Sequence, residues 1–345
     1  MPILSRPVLS ETMSYPVLVA DIGGTNARFG ILTDAHADLK EFETAKTADF
    51  DGLEEAVGAK IFAKTGIMPR SAVLALAGPI NGDEVPLTNC DWVIRPKELM
   101  ESLNLNDVIL VNDFEALALA LPSLEDDDLQ IIGSGKLTTS GTKIVVGPGT
   151  GLGAAGMVHA DSMWVPVPGE GGHISLGPDT DDEFALWPHI EKEHGRISAE
   201  ALLCGRGLVR LYRAVTAWKG AKAIYETPSE ITSAALAGTD EHAVTSLNVF
   251  CRVLGRVAGD LAIIFMAKGG VYLAGGISQK IAGFLAQSEF REAFVAKAPH
   301  RHLMEEIGTA VIMHERPALK GLAAYARTPQ RFGLELQGKR WRKNQ

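Results

Sequence analysis

Pro16-Val17-Leu18-Val19-Ala20-Asp21-Ile22-Gly23-Gly24-Thr25-Asn26 is the stretch on which the fold turns. Residues 16–20 are apolar throughout, too short a run for a buried helix, and they end in a carboxylate and a glycine pair. The run reads as a buried strand that delivers Asp21 into a glycine turn, with residues 29–32 returning as its antiparallel partner. A plain hairpin accounts for Gly23-Gly24 but not for a charged Asp at the mouth of an apolar strand. A carboxylate there, followed by two glycines, Thr25 and Asn26, can hold a hydrated magnesium ion and offer backbone amides to phosphate oxygens.

Outward from this turn, residues 51–65 have helical periodicity and 71–77 form a second apolar strand. Residues 108–111 form a third, with Asn112-Asp113 at its end and a helix over 114–121 stopped by Pro122. After the acidic linker 125–128 the pattern begins again. Residues 143–146 are a strand, Gly147-Pro148-Gly149-Thr150-Gly151-Leu152-Gly153 its turn, and 154–158 the returning strand. Helices over 198–217 and 245–268 follow. Then come a strand ending in Ala274-Gly275-Gly276 that leads into a helix, a strand near 310–313 and a helix over 318–326. One strand–glycine-turn–strand unit in each half predicts an α/β chain built by internal duplication, with a cleft between two lobes. The length of 345 residues suits two such lobes. The expected division is a disordered-looking leader over 1–16, a small α/β domain over 17–123 plus 314–345, and a larger one over 124–313.

The bulk chemistry narrows the partners. A net charge of -9 and a pI near 5.5 lack the basic footprint that nucleic-acid binding needs. The basic run from Lys339 to Lys343, around Trp341, reads as a solvated tail. Cys90, Cys204 and Cys251 are far apart with no CxxC pair, which suits a reducing cytosol rather than a disulfide framework or zinc site. No signal peptide is apparent at the start of the sequence. The most apolar stretch, 257–277, is interrupted by Asp260 and Lys268, which argues against a membrane span. Gly133-Ser134-Gly135-Lys136-Leu137-Thr138 resembles a P-loop only at a glance. Gln130 stands where that motif needs its first Gly and Leu137 where it needs Ser or Thr, so the segment reads as a polar turn.

Three places carry candidate chemistry beyond the glycine turns. Asn112-Asp113, between strand and helix, is either a helix N-cap or a general base that accepts the proton of an attacking hydroxyl. Pro168-Gly169-Glu170-Gly171-Gly172-His173 sets an acid and an imidazole three apart on a glycine loop, an arrangement suited to the vicinal hydroxyls of a sugar. Glu200, in Ser198-Ala199-Glu200, opens a helix and is equally at home as a first-turn acid. Four glycines in seven residues around Thr150 exceed what a structural turn requires and suit the cradling of phosphates.

Taken in order, DIGGTNAR at 21–28, LTNCDW at 87–92, NDFEA at 112–116, GPGTGLG at 147–153, PGEGGH at 168–173, SAE at 198–200 and VYLAGGI at 271–277 resemble the bacterial glucokinase family. That family lies within the hexokinase, actin and heat-shock ATPase superfamily, and the resemblance spans about 16–327. It implies a duplicated actin-like (ribonuclease H-like) two-domain fold with an interdomain cleft, ATP and Mg²⁺ as cofactors, and glucose as the acceptor. Ala20, Asp21, Ile22, Gly23, Gly24 and Thr25 then match the first phosphate loop, with Asp21 holding Mg²⁺ through water. Gly149, Thr150 and Gly151 match the second, and Gly275 and Gly276 the adenosine-binding turn. Asn112, Asp113, Glu170, His173 and Glu200 match the sugar-binding set, Asp113 as catalytic base, and Asn89 lies on a segment near the sugar side. A cytoplasmic homodimer is expected. The alternatives are a kinase for another hexose and a non-sugar ATPase of the same fold. The zinc cluster of the related repressor and sugar-kinase group has no counterpart after the Glu-His loop, where only Cys204 occurs.

Overall fold

The computed structural model describes residues 12–343, so residues 1–11 of the expected leader lie outside it. In chain order the strands are β1 (Val17–Ile22), β2 (Asn26–Leu32), β3 (Lys40–Glu41), β4 (Ala45–Lys46), β5 (Ser71–Leu76), β6 (Val85–Pro86), β7 (Val93–Ile94), β8 (Asp107–Asn112), β9 (Leu129–Ile131), β10 (Lys143–Pro148), β11 (Leu152–Ala160), β12 (Met163–Gly169), β13 (Gly270–Leu273), β14 (Thr309–Ile312) and β15 (Arg340–Arg342).

These strands make two large sheets of one design. In the first, β1 pairs antiparallel with β2 across the Gly23-Gly24 turn, and β5 and β8 join in parallel on its other side. The order is β15-β8-β5-β1-β2-β3, with β4 also on β2. The second runs β12-β11-β10-β13-β14-β9, with β10, β13 and β14 parallel. Each sheet therefore has a glycine-turn hairpin, then two parallel strands, then an antiparallel edge strand, β15 on β8 and β9 on β14. The duplication legible in the two glycine turns extends through the whole strand order.

Contacts divide the chain into two compact units. One holds the described residues up to Ser123, Met157–Val167 and the segment from Glu315; the other holds Leu124–Gly156 and Pro168–His314. The turn end of the β11–β12 hairpin thus groups with the first unit, where the Trp164 carbonyl accepts from the Gly333 amide at 2.8 Å. The end of the expected leader is packed too: Met13 is buried, and the Tyr15 hydroxyl donates to the Ala326 carbonyl at 2.8 Å.

In the first unit β1, β5 and β8 are almost wholly buried, which is why they read as continuous apolar runs rather than alternating ones. Leu18, Ile22, Phe29, Leu74 and Leu110 form the heart of its core. In the second unit the core gathers around Tyr212, Phe250, Leu254 and Phe290, much of it on the helix Glu241–Phe265. Burying each such side chain stabilises by about 1.5–3 kcal/mol. Asp240 starts that helix four residues before the apolar periodicity does, its carboxylate accepting from the Ala243 amide at 2.7 Å.

Two expectations are corrected. The helix expected over 198–217 is two helices, Ala199–Leu202 and Gly205–Trp218, because Cys204 is extended and caps the second through its Sγ to the Gly207 amide at 3.3 Å. The basic run 339–343 is not a solvated tail. Residues 340–342 are a strand of the sheet, and Arg340 Nε lies 3.0 Å from Asp107 Oδ1, both side chains being buried. Ion pairs with acids on β8 and beyond, invisible in a charge count, hold it there.

Candidate functional site

In the first unit, the turn after β1 is tight: the Gly23 amide donates to the Asn26 carbonyl at 3.0 Å. Gly24 has no room for a side chain, since a Cβ would lie 2.5 Å from the Thr88 carbonyl oxygen and 3.1 Å from Asn89 Cβ. Asn89 is thereby placed against the first glycine loop. Thr47 fixes the same loop from the far side, its hydroxyl donating to the Gly24 carbonyl at 2.9 Å.

Asp21 sits on β1 opposite Arg28 of β2, and the Arg28 Nη1 lies 3.1 Å from its Oδ2. Burial raises the Asp21 carboxyl above the usual carboxylate range, and Arg28 opposes that rise. Sequence reasoning passed over Arg28 although the hairpin register contains it: once Gly23 and Asn26 close the turn, Asp21 must face residue 28. Arg28 engages one oxygen of the part-buried Asp21 carboxylate, and the other, just before the glycine turn, suits a magnesium ion that draws most of its ligands from water and phosphates. Among the described residues no group of three or more His, Cys, Asp or Glu side chains could hold a metal ion.

Asp113 opens the helix Asp113–Ala120 directly after β8. Asn112 is its N-cap: the side-chain oxygen accepts from the Phe114 amide at 2.9 Å, while Glu115 Oε2 accepts from the Asn112 amide at 3.1 Å, a complete capping box. The capping box belongs to Asn112, and Asp113 is the first residue of the helix rather than its N-cap. Asp113 Oδ1 also accepts from the Phe114 amide at 2.9 Å. Burial first, and the Asp21 charge second, push the Asp113 carboxyl up to about 6, against the pull of those hydrogen bonds. A carboxylate poised near neutrality is what proton abstraction at physiological pH calls for.

The second unit gathers its residues around Leu152, the first residue of β11. Glu200 Oε2 accepts from the Leu152 amide at 2.8 Å, and a Cβ at Gly151 would strike that carboxylate. Gly172 lies so close to the Leu152 carbonyl that it too admits no side chain. The loop carrying Glu170 and His173 is tied to the Glu200 helix, because the Ala199 amide donates to the Ile174 carbonyl at 2.9 Å. His173 Nε2 stands 3.6 Å from Glu170 Oε2, and both side chains face solvent, at 52% and 88% exposure, with hydrogen-bonding capacity to spare.

Gly149, Thr150 and Gly151 form the turn between β10 and β11, and the Gly149 amide donates to the Gly151 carbonyl at 2.8 Å. Gly149 in turn accepts at its carbonyl from the Gly205 amide at 2.9 Å. Gly275 begins the helix Gly275–Leu285 in the left-handed region, φ +87°, where a Cβ would lie 2.6 Å from the Pro148 carbonyl oxygen. Two of the three glycine turns expected to serve the nucleotide are thus neighbours, and at Gly276, second in the helix, an added Cβ would meet nothing within 4 Å. Bare amides at a helix start favour an anion.

Comparison with known proteins agrees with these motifs. The family model for glucokinase matches residues 18–329. The chain is 54% identical over 341 residues to a glucokinase of Rhizobium johnstonii, covering 99% of this chain and all of that one. Among solved structures, a glucokinase from an Antarctic psychrotroph aligns with a TM-score of 0.82 at 35% identity, over 90% of this chain and 98% of that one. A glucokinase from Balamuthia mandrillaris, solved in complex with glucose, shares the fold at a TM-score of 0.74 and 23% identity, over 90% and 93% of the two chains. The duplicated actin-like fold is common to them, and this chain belongs to the glucokinase family.

Proposed function

We infer that this chain, a hexose kinase of the glucokinase family, transfers the γ-phosphoryl group of ATP to the 6-hydroxyl of glucose with Asp113 as general base. The observation that carries the reading is the Asp113 carboxylate at the end of β8, raised to about 6 by burial while Asn112 does the capping. Phosphoryl transfer asks little covalent chemistry of a protein and much positioning and charge neutralisation. Asn112, Glu170, His173 and Glu200 hold the ring hydroxyls, and Asp113 takes the 6-hydroxyl proton as that oxygen attacks the γ-phosphorus. The bond between the γ-phosphorus and the bridging oxygen breaks, and ADP leaves.

Residues 20–25 and Gly149, Thr150 and Gly151 offer amides and hydroxyls to the phosphates, and Gly275 with Gly276 receives the adenosine. Asp21 would hold Mg²⁺ through water, the ion supplying charge neutralisation at the phosphate oxygens. The protein works in the cytoplasm as a homodimer; the well-separated free cysteines suit a reducing compartment, and the family resemblance favours a dimer. No helix among the described residues is long and apolar enough to cross a membrane.

The test is a coupled assay with ATP, Mg²⁺ and a panel of hexoses, alongside ADP release without sugar. Glucose should give the highest kcat/KM. A clear preference for another hexose would reassign the acceptor, and sugar-independent turnover would favour the plain ATPase. Asp113→Asn should lower kcat by roughly 10²–10⁴ with ATP binding nearly intact; unchanged turnover removes Asp113 from the chemistry.

A further inference from the structure

Glu115 is the acid of the capping box that holds Asn112, and its carboxylate is 1% exposed. A carboxylate taken out of water needs a counter-charge. It has one from far along the chain: Lys339 Nζ lies 2.8 Å from Glu115 Oε2 and 3.1 Å from Oε1. Lys339 is itself held by its backbone, its carbonyl accepting from the Leu110 amide of β8 at 2.9 Å. A relay therefore runs from the Lys339 ammonium to Glu115, from Glu115 to the Asn112 amide at 3.1 Å, and so to the residue beside Asp113. We propose that Lys339 is a positioning residue for phosphoryl transfer, locking the Glu115–Asn112 capping box and through it the placement of Asp113. The inference rests on Asp113 being the base.

Without the ammonium, Glu115 is left a buried, unpaired charge and is driven toward water. The box loses its grip on the Asn112 amide, and the peptide that carries Asp113 is freed. Misplacing a reacting group by about 1 Å can cost on the order of 100-fold in rate. The competing explanation is that Lys339 only docks the C-terminal strand. The same strand supplies a control. Arg340 makes a buried ion pair with Asp107, which Arg342 also approaches at 3.4 Å; Asp107 is the first residue of β8, at the opposite end from Asn112, its last.

The experiment measures kcat, the KM values for glucose and ATP, and the melting temperature for Lys339→Met, Arg340→Met, Asp113→Asn and the pair Lys339→Met/Glu115→Gln. The pair removes the stranded charge and keeps the assay informative should Lys339→Met not fold. Lys339→Met should lose roughly 10- to 100-fold in kcat with ATP KM within about twofold. Arg340→Met should melt earlier yet hold kcat within about twofold, and the pair should fold with kcat several-fold below that of Arg340→Met. Equal kcat in the pair and Arg340→Met, or a fall in Arg340→Met as deep as in Lys339→Met, overturns the proposal. Full turnover in Asp113→Asn would instead strike at the base assignment beneath it.

Discussion

With Asp113 as the general base, lowering pH through about 6 should switch this enzyme off through that one carboxyl group. Asp113 is raised from an ordinary carboxylate value to about 6, first by burial and then by the charge of Asp21. A base must be ionised to accept a proton, so activity in the free enzyme is full well above 6 and falls as pH drops through it. From simple titration, about nine-tenths of Asp113 is ionised at pH 7, half at pH 6 and roughly one-tenth at pH 5, whereas an ordinary aspartate would still be over nine-tenths ionised at pH 5. The assay is kcat/KM for glucose by a coupled readout from pH 4.8 to 8 at constant ionic strength, with saturating ATP and a check by circular dichroism that the fold persists. An acid limb near 6 with a slope of one is expected, and roughly a tenfold loss between pH 7 and 5. In Asp113→Asn the small residual rate should show no such limb. A limb near 4 in the parent, or a limb near 6 surviving in Asp113→Asn, would refute the reasoning, because burial of this carboxyl would then not set the profile.

Three further outcomes follow from the same geometry. Gly275→Ala forces a side chain into the left-handed region and onto the Pro148 carbonyl, so it should cost about 1–3 kcal/mol in strain and raise the KM for ATP more than that for glucose, by steady-state kinetics. Glu170→Gln should weaken glucose binding more than ATP binding in isothermal titration, since that exposed carboxylate has hydrogen-bonding capacity to offer a sugar; the reverse pattern would reassign the loop. Stripping divalent ions with EDTA should abolish turnover and Mg²⁺ should restore it, because an acid and a set of neutral amides leave the phosphate charge for a metal to neutralise.

The sequence carries its local information well and its long-range information poorly. Buried parallel strands announce themselves as unbroken apolar runs, and glycine density marks loops that approach something closely, so β1, β5, β8, β10 and the three glycine turns were all legible. Short elements without strong periodicity were not: the ribbon of β6 and β7, the edge strand β9 and the helices Pro228–Ala237 and Arg301–Glu306 draw their stability from packing rather than pattern. Glu115 illustrates the limit within the site. It lay inside a quoted motif, yet its counter-ion is 224 positions away in a run that looked like solvated charge.

Which local features this chain carries was set by its linear order alone: an acid at a strand mouth, glycine turns at strand ends, and an Asn-Asp step between strand and helix, because each is a local solution to a local constraint. Which of two neighbours caps a helix, how far burial lifts the carboxyl of the other, and whether the basic residues of 339–342 face water or buried carboxylates were decided only by the folded molecule. Those outcomes depend on desolvation and on partners distant in the chain, and neither is a property of any short stretch.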